Sequence, residues 1–123
     1  MNHRKVYKTE KAFSKLMNKK IVGLVEKIKI NGKEVTARID TGAEHSSIDE
    51  NLSSKLNLGP VLRTILIKSA SGQTRRPVVE AEVKIKGKVL KSRFNIADRK
   101  HMRYKVLIGQ NILKKGFLID PSK

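Results

Sequence analysis

Two stretches of this chain echo each other at a constant offset, and that echo limits the folds open to it. Ile28-Lys29-Ile30-Asn31-Gly32-Lys33, followed by Arg38, returns as Val83-Lys84-Ile85-Lys86-Gly87-Lys88, followed by Arg93. In each, apolar and basic residues alternate, so a strand built from them has one apolar face. Asn31-Gly32 is a strong hairpin signal, because both positions of the tight turn take positive φ. Neither hairpin can bury its apolar face alone. Together they are expected to pack as a closed all-β body.

The rest of the pattern agrees. Val22, Leu24, Ile28 and Ile30 are expected on one face of a strand over 21–30, with Val35, Ala37 and Ile39 on one face of the return strand. Asp49 is placed to cap a short helix over 50–56 that buries Leu52 and Leu56 and stops at Gly59-Pro60. A strand is expected over 61–68, and another after Gln73–Pro77 with Val79, Ala81, Val83 and Ile85 inward. Val106-Leu107-Ile108 reads as a buried strand, Gly109 leads into a short helix over 111–115, and Phe117-Leu118-Ile119 is the last strand. A chain of 123 residues makes one domain. Residues 1–20 form a basic arm, where Ala12/Leu16 and Phe13/Met17 at i,i+4 permit a helix, and residues 21–123 form the body.

The first return strand delivers Asp40, followed by Thr41, Gly42 and Ala43. An Asp before Gly at a strand end also makes an ordinary Asx turn. Two other features give this one weight: a second apolar-apolar-Gly turn at Leu107-Ile108-Gly109, and a glycine-containing loop, Ser69-Ala70-Ser71-Gly72-Gln73, between the two. In the repeat, Ile39-Asp40 falls opposite Phe94-Asn95. One chain therefore offers one carboxylate at this place.

Several blocks occur in a telling order: Ile39-Asp40-Thr41-Gly42-Ala43, Lys68-Ser69-Ala70-Ser71-Gly72, Arg76-Pro77-Val78-Val79, Asp98-Arg99, Val106 through Leu113, and Ile119-Asp120-Pro121. In these the chain resembles the retropepsin-like aspartic proteases. More closely, it is similar to the small bacterial and archaeal proteins labelled ATP-dependent zinc proteases, which are grouped with them. The resemblance implies a closed acid-protease barrel with one or two short helices, and an aspartic endopeptidase whose catalytic residue is Asp40. It implies a homodimer in which Asp40 of each copy meets at the two-fold axis, Thr41 bracing the two loops. Residues Ser69, Ala70, Ser71, Gly72 and Gln73 would be the flap, and Leu107, Ile108 and Gly109 the support beneath the loop. Two departures stand out. Gln110 replaces a common Arg and cannot supply its charge, and Glu44-His45 sits beside the loop. Members of the family are encoded near ligases that add glutamates to protein ends, and some remove such tails, which implies an acidic substrate.

The net charge of +17 points the same way, since such a surface attracts polyanions. Arg75, Arg76, Arg99 and Arg103 are the candidate contacts to substrate charge. The same charge suits nucleic acid or the ribosome, although three Phe, two Tyr and no Trp leave few stacking platforms. The rival readings are a basic nucleic-acid- or ribosome-binding module and a degenerate protease-like dimerisation domain. The first explains the charge but not the Asp40 loop; the second keeps the loop for shape alone. There is no cysteine and no run of membrane-spanning length, so a cytoplasmic protein without membrane contact is expected. No cofactor is expected, and His3, His45 and His101 lack the spacing of a zinc site.

Overall fold

The computed structural model of the protein describes residues 16, 18–70 and 72–123. The expected arm helix, Leu16 apart, lies outside them. The elements run β1 (Lys20–Val22), β2 (Val25–Ile30), β3 (Lys33–Ile39), β4 (Ser46–Asp49), α1 (Glu50–Lys55), β5 (Arg63–Ser69), β6 (Gly72–Ile85), β7 (Lys88–Ala97), β8 (Val106–Ile108), α2 (Gln110–Leu113) and β9 (Phe117–Ile119).

The two repeated hairpins form as the alternation requires. Asn31 and Gly32 turn the first with φ of 46° and 81°, and Lys86 and Gly87 turn the second with φ of 52° and 80°. Ile30 pairs with Lys33 in one and Ile85 with Lys88 in the other, so the registers are equivalent. The correspondence goes further than the turns. Each return strand runs parallel to a short buried strand, β3 to β8 and β7 to β4. The main sheet runs β2-β3-β8-β4-β7-β6-β5, and β6 also pairs back to β2 through Lys29↔Lys84 and Ile30↔Val83. That last pairing closes the barrel. β5 lies outside the ring, as one limb of the long hairpin it makes with the first half of β6.

Inside the barrel, Ile28, Ile30, Ala37, Ile39, Val79, Ala81, Val83 and Ile85 are buried, as their alternation predicts, and Phe94 of β7 is buried with them. Each large apolar side chain removed from water contributes about 1.5–3 kcal/mol. Val106, Ile108 and Ile112 bring the β8–α2 segment into the same core. A parallel pair, β1 with β9, ties the two ends of the body together.

Four expectations change. The strand expected after Gln73–Pro77 starts at Gly72, so those residues belong to β6, paired with β5. The strand over 21–30 is broken at Gly23-Leu24, where the Gly23 amide donates to Glu26 Oε2 at 2.8 Å, and Leu24 is exposed instead of facing the core. β5 begins at Arg63, leaving Val61 and Leu62 exposed. Between Asp40 and the helix lies an unanticipated strand, β4, all four residues of which are buried. The helix itself is capped as expected: Asp49 Oδ2 accepts from the amides of Asn51 and Leu52 at 3.1 and 3.4 Å.

Candidate active site

The Asp40 loop is built on the β3–β8 ladder. The Asp40 amide donates to Ile108 O at 2.9 Å, one step past the last paired residues, Ile39 and Ile108. The chain then turns on itself. Gly42 N donates to Asp40 Oδ1 at 2.9 Å, and Ala43 N donates to Asp40 O at 3.3 Å. A Cβ on Gly42 would stand 3.3 Å from Asp40 Oδ1, so glycine lets the carboxylate lie against its own turn. One carboxylate oxygen is thereby oriented, and Asp40 stays half-exposed.

The turn at the start of α2 carries the loop. Gln110 N donates to Ala43 O at 2.8 Å, Asn111 N to Glu44 O at 3.2 Å, and Gln110 Nε2 to Thr41 O at 2.8 Å. Gln110 thus ties the loop through a neutral donor. Gly109 is wedged beneath, where an added Cβ would meet His45 O at 2.5 Å and Ala43 O at 2.8 Å. Gly109 N donates to Ser46 Oγ at 2.9 Å, and that hydroxyl donates to Asn111 Oδ1 at 2.7 Å. Asn111 Nδ2 reaches Arg93 O at 2.9 Å and so joins the loop support to β7. Leu107, Ile108 and Gly109 therefore lie where a support for the loop is needed. Asn111 is an equally important member that the sequence reading left without a role.

A cleft of about 620 Å³ opens beside the loop. Gly42 and Ala43 border it, and Ser47, Asn95 and Leu107 come to it from the barrel. Leu66, Ile67 and Lys68 of β5 border it too, below the β5–β6 tip where Ser69 pairs with Gly72 and Lys68 with Gln73. Of the four arginines singled out, Arg76 and Arg99 line this cleft. Arg75 is paired with Leu66 next along β6, and alternation turns it to the other face. Arg103 lies over the Tyr104 ring, 5.4 Å from its centre, in a separate groove. Ser47, Leu66, Ile67, Lys68 and Asn95 are cleft residues that sequence reasoning did not assign to it, and Glu44 and His45 line it as well.

The guanidinium groups of the two cleft arginines are held by neutral acceptors. Arg76 NH1 donates to Asn95 Oδ1 at 3.1 Å, an oxygen that also accepts from Ser47 Oγ at 2.8 Å. Arg99 Nε donates to Tyr104 O at 3.1 Å, and its amide donates to Asp49 Oδ1 at 2.8 Å. Burial lowers the Arg99 guanidinium from its ordinary value, and the positive charge of Arg76 adds to that; Asp49 and Asp40 act in the opposite sense. At Asp49, burial alone would raise the carboxyl. The amides of Arg99, Leu52 and Asn51, with Lys105, outweigh it and hold the group below the usual carboxylate range. Glu44 and His45, on the loop instead of in a strand, stand 3.9 Å apart as an exposed pair. Among the described residues no three His, Cys, Asp or Glu side chains converge as metal ligands, and no helix is long and apolar enough to cross a membrane.

A closed barrel with an Asp-Thr-Gly turn braced by a second glycine turn, under a hairpin, has the architecture of a retropepsin-like aspartic protease. The model of the RimB-like family, described as retropepsin-like aspartic endopeptidase RimB, matches residues 49–123, and the chain belongs to that family. The matched span begins beyond Asp40–Ala43. No curated protein matches the chain. Among the many solved structures that share its fold are two at 23% identity. Lpg0085 of Legionella pneumophila, a protein of unknown function, aligns over 84% of this chain and 94% of its own with a TM-score of 0.62. EIAV protease, complexed with the inhibitor HBY-793, aligns over 74% of this chain and 85% of its own with a TM-score of 0.65.

Proposed function

We propose that this chain is an aspartic endopeptidase whose active site forms when two copies each contribute Asp40. The observation that carries this is the Asp40 turn: one half-buried carboxylate, oriented by the Gly42 amide, in a turn whose Gly42 and Ala43 border the cleft. Hydrolysis of a peptide by activated water needs one group to take a proton from water and another to give one to the carbonyl oxygen. Two carboxylates sharing a proton do both. One chain holds one such turn, and the repeat puts Asn95 at the equivalent place in the second hairpin. The second carboxylate then comes from a second copy. Thr41, at the tip of the loop, is the residue we assign to bracing the two loops, and Ser69–Gln73 to closing over substrate.

We assign the substrate to acidic protein tails, polyglutamate-like in character. Arg76 and Arg99 line the cleft, and among the described residues no carboxylate lies within ion-pair distance of either. We also read the chain as kin to the proteins labelled ATP-dependent zinc proteases, without a part for zinc.

Matched peptides ending in oligoglutamate, oligoglutamine or oligolysine test this, with wild type, D40N and an RNA competitor. The expected result is cleavage of the glutamate series, lost in D40N and insensitive to a chelator. Equal cleavage by D40N would refute the aspartic mechanism. Tight RNA binding without cleavage would favour the nucleic-acid-binding reading instead.

A further inference from the structure

The cleft does not end at Asn95. A second recess of about 170 Å³ shares His45 and Asn95 with it and continues on their far side. It is bordered by Ile65, Val78 and Phe94 and carries two more cations, Arg63 and Arg93. Both are exposed, and among the described residues neither has a carboxylate within ion-pair distance. They come together for a topological reason. Val78, near the middle of β6, pairs with Arg63 of β5 on one side and with Asn95 of β7 on the other. Two residues back along β7 from Asn95 lies Arg93, whose carbonyl is fixed by Asn111.

We propose that Arg63 and Arg93 form a second anionic subsite, so that the protein grips an acidic peptide at two successive points. The proposal rests on the reading of the main cleft as a peptide site and names further residues that set its specificity. An extended peptide turns every second side chain to the same side. Two adjacent recesses with a common wall therefore suit acidic side chains at alternating positions. Arg76 and Arg99 take one carboxylate, and Arg63 and Arg93 take the next. Arg63 and Arg93 sit on different strands, so they are brought together only in the folded barrel. Guanidinium groups suit this task, because each can offer a carboxylate two parallel donors. Asn95 stands between the subsites and orients Arg76 from one of them.

The test is a binding measurement, so that it is independent of the chemistry. Fluorescence anisotropy at moderate salt follows labelled peptides with a short or a long run of glutamates, and an oligoglutamine control, on full-length D40N. The long run should bind more tightly than the short by about tenfold, the scale of one added charge-assisted contact. In D40N carrying R63Q and R93Q that ratio should fall towards one. In D40N carrying K27Q and K29Q, which removes the same charge from a groove outside both recesses, the ratio should persist. The proposal is overturned if the R63Q/R93Q protein keeps the ratio, if K27Q/K29Q loses as much of it, or if D40N shows no dependence on the length of the run. Failure of wild type to cleave any peptide would instead count against the proposed chemistry, and the binding ratios would still decide the subsite.

Discussion

Gly109→Ala isolates the contact on which the candidate loop rests. The backbone of Gly109 has φ −104° and ψ −170°, a conformation open to any residue, so backbone strain plays no part. On unfolded-state entropy alone, alanine at such a place would stabilise by about 0.4–1 kcal/mol. The new Cβ, however, would lie 2.5 Å from His45 O, 2.7 Å from His45 C and 2.8 Å from Ala43 O, all below the 3.4 Å where ordinary contact begins. These are backbone atoms, with no rotamer to swing away. The loop must lift, straining the 2.8 Å bond from Gln110 N to Ala43 O and the 2.9 Å bond from Gly109 N to Ser46 Oγ. Overpacking costs about 1–3 kcal/mol, and weakening two hydrogen bonds adds about 1 kcal/mol more. After the entropic offset the net loss is about 1–3.5 kcal/mol. Urea unfolding at fixed protein concentration reads it as a lower midpoint with an unchanged slope. A G109A midpoint equal to or above wild type would refute the reasoning, because the steric term would then be smaller than the entropy gain.

Other perturbations follow from the same contacts. Asp49→Ala removes the α1 cap and the anchor of the Arg99 amide, and should cost about 1–3 kcal/mol at neutral pH. Because the folded carboxyl sits below its ordinary value, its contribution is complete above about pH 4 and is lost as pH falls through the folded value. The gap between wild type and D49A in urea midpoint should therefore shrink in acid; a gap independent of pH would contradict this. Gln110→Ala deletes the donor to Thr41 O and should cost about 0.5–1.5 kcal/mol, at the low end because water can reach that carbonyl. Under the proposed function it should lower kcat more than stability, and kinetics alongside urea unfolding would show whether it does.

What the sequence made legible was local. Alternation and the Asn31-Gly32 turn are written in neighbouring residues, so both hairpins, their inward faces and the Asp49 cap could be read directly. β4 could not. Ser46-Ser47-Ile48-Asp49 shows no apolar alternation, and its polar residues are buried because distant partners satisfy them: Asn111 bonds Ser46, Asn95 bonds Ser47, and the Arg99 amide bonds Asp49. Leu24 fits the period of its strand, but the bend at Gly23 takes it out of the core. Among the arginines, neighbours in sequence proved less informative than strand parity. Arg75 and Arg76 part company because alternation sends them to opposite faces. Arg63 and Arg93 meet at one recess only after β5 and β7 have both paired with β6.

The most direct test of the central claim is a subunit-mixing experiment with wild type and D40N. Both are combined at constant total concentration and allowed to exchange, and peptide cleavage is followed as the D40N share rises. If Asp40 from two copies forms one catalytic pair, a mixed dimer is inactive and activity falls as the square of the wild-type fraction. An equal mixture should then retain about one quarter of the wild-type rate. A linear fall, leaving about one half, would mean that each chain works alone and would contradict the shared pair.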